Sequence, residues 1–421
     1  MNREYREYYD LLRHELIPAY GCTEPCALAY AATVATHILG QFPEKMEVVC
    51  SSTIIKNVFS VDIPNANDLK GPRAAAILGA LINSPEKKLC VLQSVGPEIL
   101  VKARELYDSS FCTVRLQPDY DCLYIRVEVE CQEDSAEVII VNEHTNIISA
   151  KKNGKTLSHK DLEEVEIPNK DFLTVEGALD FAENCDISEI KEVLESQIAN
   201  NTKISQEGLR GDYGLCVGKN LISFYGDSNV AVRARAMAAA GSDARMAGCV
   251  MPVVINSGSG NQGLTVSLPV IEYAAKLNVS HDKLLRALAF ANLVSIRQKR
   301  NVGSLSAFCG AVHAAAGAAS GICYLLGGSY EDVSNTISYT LGTIGGMICD
   351  GAKASCASKI NEAIDTALMG MQLSMKKSKY LLHGDGLIKS DVETTINGFG
   401  KVGKEGMKET NEVVLNIMLD E

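Results

Sequence analysis

The sequence predicts an α+β fold, with a mostly α-helical domain of buried, small-residue-rich helices and a smaller α+β domain that has a mainly antiparallel sheet. Residues 123–130 alternate between apolar and polar side chains, the pattern of a strand in a sheet with one solvated face. Beyond residue 170 nearly every segment favours helix, and long uncharged stretches are dominated by Ala, Gly and Ser. Because 421 residues are too many for one compact core, we expect separate domains.

The predicted elements fall into three regions along the chain. Residues 1–45 contain two helices, at 5–17 and 27–39, which we expect to pack on the C-terminal domain. Residues 46–170 form the α+β domain, with strands at 123–130 and 137–142, a hairpin turn at Asn153 and Gly154, and helical insertions at 72–82 and 97–107. A charged, weakly periodic stretch at 151–170 marks the boundary, and residues 171–421 form the all-α domain.

One uncharged segment, residues 301–330, is long enough to cross a membrane. Its composition favours a buried helix instead, because the Ala, Gly and Ser residues that dominate it contribute little to membrane insertion. We therefore interpret the segment as helix packed closely inside the helical domain, with a membrane span as the alternative.

Charge and cysteine content limit the partners and the compartment. The formal net charge of −12, without any block rich in Lys and Arg, argues against a nucleic-acid or anionic-membrane partner. The first residues are charged and no apolar segment follows them, unlike a secretory signal, so we expect a cytoplasmic protein. Its 14 cysteines should then stay reduced and serve as small hydrophobes, metal ligands or reactive thiolates.

The first motif that could carry chemistry is Gly21-Cys22-Thr23-Glu24-Pro25-Cys26. Thr23 or Glu24 can cap the helix that follows, and Pro25 suits its first turn because it lacks an amide hydrogen. Cys22 would lie just before the helix N-terminus, where unpaired amides and the helix dipole favour a thiolate. Taken alone, the motif is explained better by two small cysteines packed between helices than by a reactive thiol.

The second motif is a glycine-rich loop, Asn256-Ser257-Gly258-Ser259-Gly260-Asn261-Gln262-Gly263, which follows an apolar run. Its glycines match the G-x-G-x-x-G pattern of dinucleotide-binding proteins, so a nucleotide-dependent oxidoreductase is one interpretation. Against it, Pro269 follows closely, and Asp282 begins a helix where that fold needs the end of a second strand. We favour an anion nest, in which backbone amides and polar side chains grip a small carboxylate. A purely structural loop is the third interpretation.

The third motif comprises Cys309, Cys349 and Cys356. The chain contains no C-x-x-C, so spacing alone gives neither a zinc nor a ferredoxin signature. On spacing, buried structural cysteines are the favoured interpretation.

In combination, the Gly21–Pro25 motif, the glycine-rich loop, Cys309, and Cys349-Asp350-Gly351 with Cys356 resemble the L-cysteine desulfidase family. This family is the oxygen-sensitive, iron–sulfur branch of the serine dehydratase-like proteins. The resemblance extends from the N-terminal helices to Gly403-Lys404-Glu405-Gly406 and so covers nearly the whole chain.

The resemblance implies a role for each of these residues. Cys309, Cys349 and Cys356 would hold a [4Fe-4S] cluster with one iron not ligated by the protein, and Cys22 would be the catalytic thiolate. Substrate-binding positions are then Thr23, Glu24, Asn57, Asn256, Ser257, Gly258, Ser259 and Asn261. Asn57 belongs to this set only if the α+β domain closes over the site. We leave His144 and His383 out, because single histidines beside turns are usually solvated, and we expect no pyridoxal phosphate.

The reaction that this resemblance implies is β-elimination of L-cysteine to pyruvate, ammonia and hydrogen sulfide, by a homo-oligomer that we expect to be a dimer. The runner-up is an iron–sulfur L-serine dehydratase. Such dehydratases lack the Gly-Cys-Thr-Glu-Pro loop, and some add a C-terminal Cys that the final residues, Ile417-Met418-Leu419-Asp420-Glu421, do not provide. An iron–sulfur sensor without turnover is the interpretation from a different class.

Overall fold

The computed structural model describes residues 5–59, 61–63, 65–67, 69–117, 123–160, 171–303, 306–377, 384 and 386–419. Helices dominate these residues, beside a mixed sheet of six strands and a small antiparallel sheet of two. The predicted α+β class is therefore confirmed. Within the same residues no helix is both long and apolar enough to cross a bilayer.

The N-terminal region consists of α1 (Arg6–Glu15), β1 (Pro18–Tyr20) and α2 (Thr23–Leu39). Helix α2 starts earlier than predicted, because its first turn includes Thr23, Glu24 and Pro25. Strand β1 pairs antiparallel with β8 (Pro252–Val254), a contact that the sequence did not predict. This pairing brings the Gly21 motif next to the glycine-rich loop, because each motif directly follows one of the two strands.

The six-stranded sheet contains β2 (Lys45–Ser51), β3 (Cys112–Gln117), β4 (Tyr124–Cys131), β5 (Asp134–Val141), β6 (Ile147–Lys152) and β7 (Lys155–His159). Their order is β3-β2-β4-β5-β6-β7, and only β2 and β3 run parallel. Its helices are α3 (Ser52–Val58), α4 (Gly71–Ile82) and α5 (Pro97–Tyr107), with a 3₁₀ segment at Pro85–Ser94. The mainly antiparallel sheet is confirmed.

Two details at the end of this sheet bear on the predicted boundary. The hairpin turn is confirmed, since Asn153 and Gly154 have φ values of 49° and 73° between β6 and β7. The residues from 151 to 159, however, belong to β6 and β7 and are not a linker. Their weak periodicity reflects an exposed edge strand, and residues 161–170 lie outside the described part of the chain.

Helix α2 packs on α4 and on strands β4 and β5, so it belongs to the core of the α+β domain. Helix α1, in contrast, contacts α11 (His281–Val302). Helix α2 buries nearly all of its Ala-rich surface, so it needs packing partners on several sides and not on one face alone.

The crossing of α2 and α4 depends on Gly79. A Cβ at this position would lie 2.1 Å from the carbonyl oxygen of Ala29, so Gly79→Ala should lower the free energy of unfolding by more than about 2 kcal/mol. Gly398 is the matched control, because its nearest neighbour would be 3.9 Å away and alanine there favours helix by up to about 1 kcal/mol. Urea unfolding of both variants measures the difference; equal effects would contradict the close crossing.

The helical domain contains α6 (Val175–Asn184), α7 (Lys191–Arg210), α8 (Val217–Tyr225), α9 (Val230–Met246), α10 (Gly260–Leu277), α11, α12 (Gly310–Leu325), α13 (Tyr330–Ile344), α14 (Cys356–Met375), α15 (Val392–Lys401) and α16 (Lys408–Leu419). Helix α12 is central and packs against α10, α11, α13 and α14. It is the uncharged segment predicted as a buried helix. Its glycines permit that packing: a Cβ at Gly317 would lie 2.6 Å from the carbonyl oxygen of Ala291 on α11.

Candidate active site

Cys22 is the N-cap residue of α2 and is only 2% exposed. Its Sγ lies 3.0 Å from Glu24 Oε2, to which the thiol donates a hydrogen bond. The hydroxyl of Thr23 donates to the same oxygen at 3.0 Å. The Glu24 carboxylate in the first turn of α2 therefore accepts hydrogen bonds from the side chains of Cys22 and Thr23.

The surroundings of Cys22 act on its protonation. Burial raises the pKa of the Cys22 thiol well above its ordinary value, and the Glu24 carboxylate raises it further, although Arg245 opposes this. These surroundings favour the thiol at rest, and the role of Cys22 as the catalytic thiolate stays a prediction. The helix N-terminus favours an anion there, but desolvation and a buried carboxylate two residues away outweigh it.

Glu24 is ionised and connects the two domains. Burial acts to raise its pKa, yet attraction by His144, the hydrogen bond from Cys22 and attraction by Arg245 together lower it. Asn57 of α3 donates from Nδ2 to Glu24 Oε1 at 3.0 Å, so the α+β domain does reach Glu24. The Oδ1 atom of Asn57 is buried and has no hydrogen-bond partner among the described residues.

His144 was excluded from the predicted site, but it is buried beside it. It lies in the turn between β5 and β6, is 8% exposed, and its Cε1 would be 3.1 Å from a Cβ on Gly258. Burial lowers its pKa, although Glu24 opposes this. A histidine beside a turn is usually solvated. Here the turn packs against the glycine-rich loop, and the local sequence does not show this long-range contact. His383 lies outside the described residues.

Arg245 joins the two motifs and carried no recognisable sequence signal. It is 2% exposed within the Ala-rich helix α9. From sequence alone, a charged residue on such a helix is expected to face solvent. Its Nε donates to the carbonyl oxygen of Gly21 at 3.1 Å, and a terminal nitrogen donates to Asn261 Oδ1 at 3.1 Å. Arg245 therefore fixes the Cys22 motif against the glycine-rich loop.

The glycine-rich loop is a tight turn followed by a helix. Asn256 and Ser259 close the turn with two backbone hydrogen bonds of 3.1 and 3.0 Å, and Ser259 caps α10. The fully buried Asn256 amide donates to Asn292 Oδ1 at 2.9 Å, while its Oδ1 accepts from Ser257 and Ser295. Its side chain thus holds the loop in shape.

The dinucleotide-binding interpretation of this loop has no support in the fold. The strand before the loop, β8, pairs only with β1 and runs antiparallel to it. A dinucleotide fingerprint needs the first strand of a parallel βαβ unit, which the described residues do not form around α10.

Antiparallel pairing brings two of the three predicted ligands together. Cys309 donates its amide to the Met347 carbonyl at 2.9 Å, and Cys349 donates to the Ala307 carbonyl at 2.6 Å. Alternate residues of paired segments share one face, so the two thiols lie on the same side. Cys356 is the first residue of α14, and its Sγ is 3.8 Å from the Gly351 carbonyl oxygen.

The three thiols influence one another electrostatically. Hydrogen bonding between Cys309 and Cys349 raises the pKa of Cys309 and lowers that of Cys349, which is therefore the thiolate of the pair. Burial raises the pKa of Cys356, and Cys349 raises it further. We call these residues the cysteine trio.

The donor set of the trio fits an iron–sulfur cluster. Among the described residues no three His, Cys, Asp or Glu side chains are arranged to hold a single metal ion. A four-iron cluster spreads its thiolates over separate irons, so it does not need them in one coordination sphere. The trio supplies three partly exposed sulfur donors of the kind that such a cluster takes, and nearby ammonium groups act electrostatically on their thiolates.

One such ammonium is Lys56 of α3, which is adjacent to Asn57 and was not among the predicted site residues. Its side chain is 2% exposed, and Nζ donates to the Cys349 carbonyl at 3.3 Å and to Asn411 Oδ1 of α16 at 2.5 Å. Burial lowers its pKa, while Cys349 and Asp350 oppose this. Helix α3 thus touches both halves of the site, Glu24 through Asn57 and the trio through Lys56.

The contact between α3 and the trio also needs Gly351. Its φ is +94°, and a Cβ would lie 2.5 Å from the Lys56 carbonyl oxygen. Gly346, with φ +93° and nothing within 4 Å, is the matched control for backbone strain. We expect Gly346→Ala to cost about 1 kcal/mol of unfolding free energy and Gly351→Ala at least about 2 kcal/mol more, measured by urea unfolding. Equal losses would show that α3 does not press on this loop.

A cavity of about 1470 Å³ opens beside these residues. Its wall includes Ser257, Gly258, His144, Lys299 and Ala307, and Cys22 is not part of the wall. The cavity therefore reaches the glycine-rich loop and the residue paired with Cys349, and it is large enough for an amino acid.

Fold and site together define a serine dehydratase-like protein with a thiol-rich centre in its helical domain. The sequence model described as serine dehydratase alpha chain matches residues 86–416. The chain belongs to this serine dehydratase-like iron–sulfur family. The family description indicates a lyase, and the family generally depends on iron–sulfur centres.

Relatives extend the similarity over the N-terminal motif. A UPF0597 protein of Lachnoclostridium phytofermentans is 47% identical over 418 residues, 99% of this chain and 100% of that protein. Identity to a UPF0597 protein of Treponema denticola is 42% over 424 residues, 99% of this chain and 98% of that protein. A UPF0597 protein of Finegoldia magna is 43% identical over 419 residues, again 99% of this chain and 100% of that protein.

Proposed function

We propose that this protein is an L-cysteine desulfidase, which converts L-cysteine and water to pyruvate, ammonia and hydrogen sulfide. The observation that carries the proposal is the contact of α3 with both half-sites. Asn57 Nδ2 lies 3.0 Å from Glu24 Oε1, and the other oxygen of Glu24 accepts a hydrogen bond from the Cys22 thiol. Lys56 Nζ lies 3.3 Å from the Cys349 carbonyl oxygen. Two successive residues of α3 therefore contact the proposed proton-transfer pair and the segment that carries Cys349.

The trio would hold the iron–sulfur group, which we propose to be a [4Fe-4S] cluster with one iron left without a protein ligand. When bound, it supplies a Lewis-acidic, thiophilic iron that suits a sulfur leaving group better than a hydroxyl. Lys56 and Lys359 act on Cys349 and lower its pKa, so they favour the thiolate form that metal ligation requires.

Cys22 and Glu24 would perform the proton transfer. The Cys22 proton passes to Glu24 Oε2, 3.0 Å away, and the thiolate so formed takes the Cα proton of the substrate. The Cβ–S bond then breaks with its electron pair leaving on sulfur, and the resulting aminoacrylate tautomerises and hydrolyses. Because burial holds Cys22 as a thiol at rest, this base is generated only when Glu24 accepts the proton.

Substrate orientation would use both domains. The unpartnered Asn57 Oδ1 accepts from the substrate ammonium beside Glu24, and Thr23 holds Glu24 in place. Ser257 and Gly258, on the cavity wall, offer amides to the substrate carboxylate. Asn256, Ser259 and Asn261 are engaged within the loop and shape it.

The family description favours one other function, that of an L-serine dehydratase. Parallel assays of anaerobically iron-loaded protein with L-cysteine and L-serine separate the two. We expect sulfide and pyruvate in equal amounts from L-cysteine and no pyruvate from L-serine. Pyruvate from L-serine alone would establish the dehydratase, and no product from either would favour the non-catalytic iron–sulfur sensor.

A further inference from the structure

Lys299 of α11 is a buried cation to which the chemistry above gives no role. It is 6% exposed and lines the cavity together with Ser257 and Gly258. No hydrogen bond or ion pair joins its ammonium to another of the described residues, whereas the adjacent Arg300 lies 3.7 Å from Asp171. Burying an ammonium without a partner is costly, so its position on a cavity wall indicates an anionic ligand.

Charged groups of the trio and of the Cys22 motif act on Lys299. Burial lowers its pKa to about 8, and Lys56 acts in the same direction, while Cys349, Cys309 and Glu24 oppose them. The Lys299 ammonium therefore interacts electrostatically with the trio and with the carboxylate beside Cys22.

The turn from Asn256 to Ser259 supplies a second, independent feature of an anion site. Ser257 and Gly258 have φ values of 50° and 77°, and the turn is closed by its outer residues. The amides of Ser257 and Gly258 make no hydrogen bond to any other described residue. Two free donors and one cation thus line the same cavity, a combination that suits a planar carboxylate.

We propose that Lys299 is the charged residue of the carboxylate subsite that the Ser257–Gly258 turn offers. The Lys299 ammonium provides the positive charge, and the backbone amides of the turn orient the carboxylate by hydrogen bonds. The site therefore selects thiols that carry a carboxylate over thiols that do not. The identity of the natural ligand as L-cysteine rests on the proposed function; the subsite itself can be tested without turnover.

The test is an equilibrium binding measurement on anaerobically iron-loaded protein with two probes. 3-Mercaptopropionate carries a thiol and a carboxylate, whereas cysteamine carries a thiol and an amine. We expect Lys299→Met to weaken binding of 3-mercaptopropionate by about 10- to 100-fold while leaving the Kd of cysteamine within about twofold. Lys299→Arg should restore part of the lost affinity because it keeps the charge.

Lys404→Met is the matched control, since Lys404 lines the same cavity but is solvent-exposed. It should leave both affinities unchanged. No weakening of either probe by Lys299→Met would overturn the subsite. Equal weakening of both probes, or loss of iron from this variant, would also overturn it and would assign Lys299 to the trio. Failure of the proposed function would be a separate result: the unmodified chain would release no sulfide from L-cysteine. That result does not depend on the relative affinities for 3-mercaptopropionate and cysteamine.

Discussion

Cys22→Ala is expected to lower kcat for L-cysteine by about 10³-fold or more while the bound iron stays constant, because a positioned acid–base group contributes about 10²- to 10⁴-fold. The thiol is the donor to Glu24 at 3.0 Å, and alanine leaves that carboxylate without its partner. Anaerobic rate measurements together with iron analysis of the same samples check both halves of this expectation.

Cys26→Ala is the matched control for Cys22→Ala. Cys26 belongs to the same first turn of α2, is fully buried, and donates to the Tyr20 carbonyl at 2.7 Å. Its replacement should cost about 1 kcal/mol of unfolding free energy and leave kcat nearly unchanged. Equal loss of activity in both variants would refute Cys22 as the specific base, and loss of iron from Cys22→Ala would make Cys22 a ligand.

Cys349→Ala is expected to weaken iron retention by more than about 100-fold, since ligand loss exceeds the 10- to 100-fold cost of disturbing an outer-shell partner. Cys349 is the thiolate of the trio, and it interacts with both Cys309 and Cys356. Iron and acid-labile sulfide per chain after anaerobic reconstitution measure the effect, and circular dichroism of the metal-free protein verifies the fold.

The control for Cys349→Ala is Cys323→Ala. Cys323 is fully buried in α12, the helix whose N-cap residue is Cys309. It should retain iron at the level of the unmodified chain. Normal iron content in Cys349→Ala, or an equal loss of iron from Cys349→Ala and Cys323→Ala, would show that the trio is not the cluster site.

The elements of the fold could be predicted where local patterns decide the structure. Alternation identified β4, the Asn153 and Gly154 pair identified the hairpin of β6 and β7, and uncharged small residues identified α12 as a buried helix. Long-range pairing could not be predicted: β1 with β8, and α2 within the α+β domain, depend on partners far along the chain.

The site shows the same division. Local motifs pointed to Cys22, to the glycine-rich loop and, by resemblance, to the trio. Arg245, Lys56 and Lys299 were missed, because charged residues on helices ordinarily face solvent. Lys299 belongs to a basic last turn of α11, which the helix dipole alone would explain. The raised pKa of Cys22 could not be predicted, since the sequence does not show how deeply Cys22 and Glu24 are buried.

Sulfide release from L-cysteine should rise in proportion to the iron bound per chain. Samples reconstituted anaerobically to graded iron contents, assayed for sulfide and pyruvate together, measure this relation directly. We predict equal amounts of the two products, a straight line through the origin, and no sulfide from metal-free protein. Undiminished sulfide release from protein stripped of iron by a chelator would contradict it.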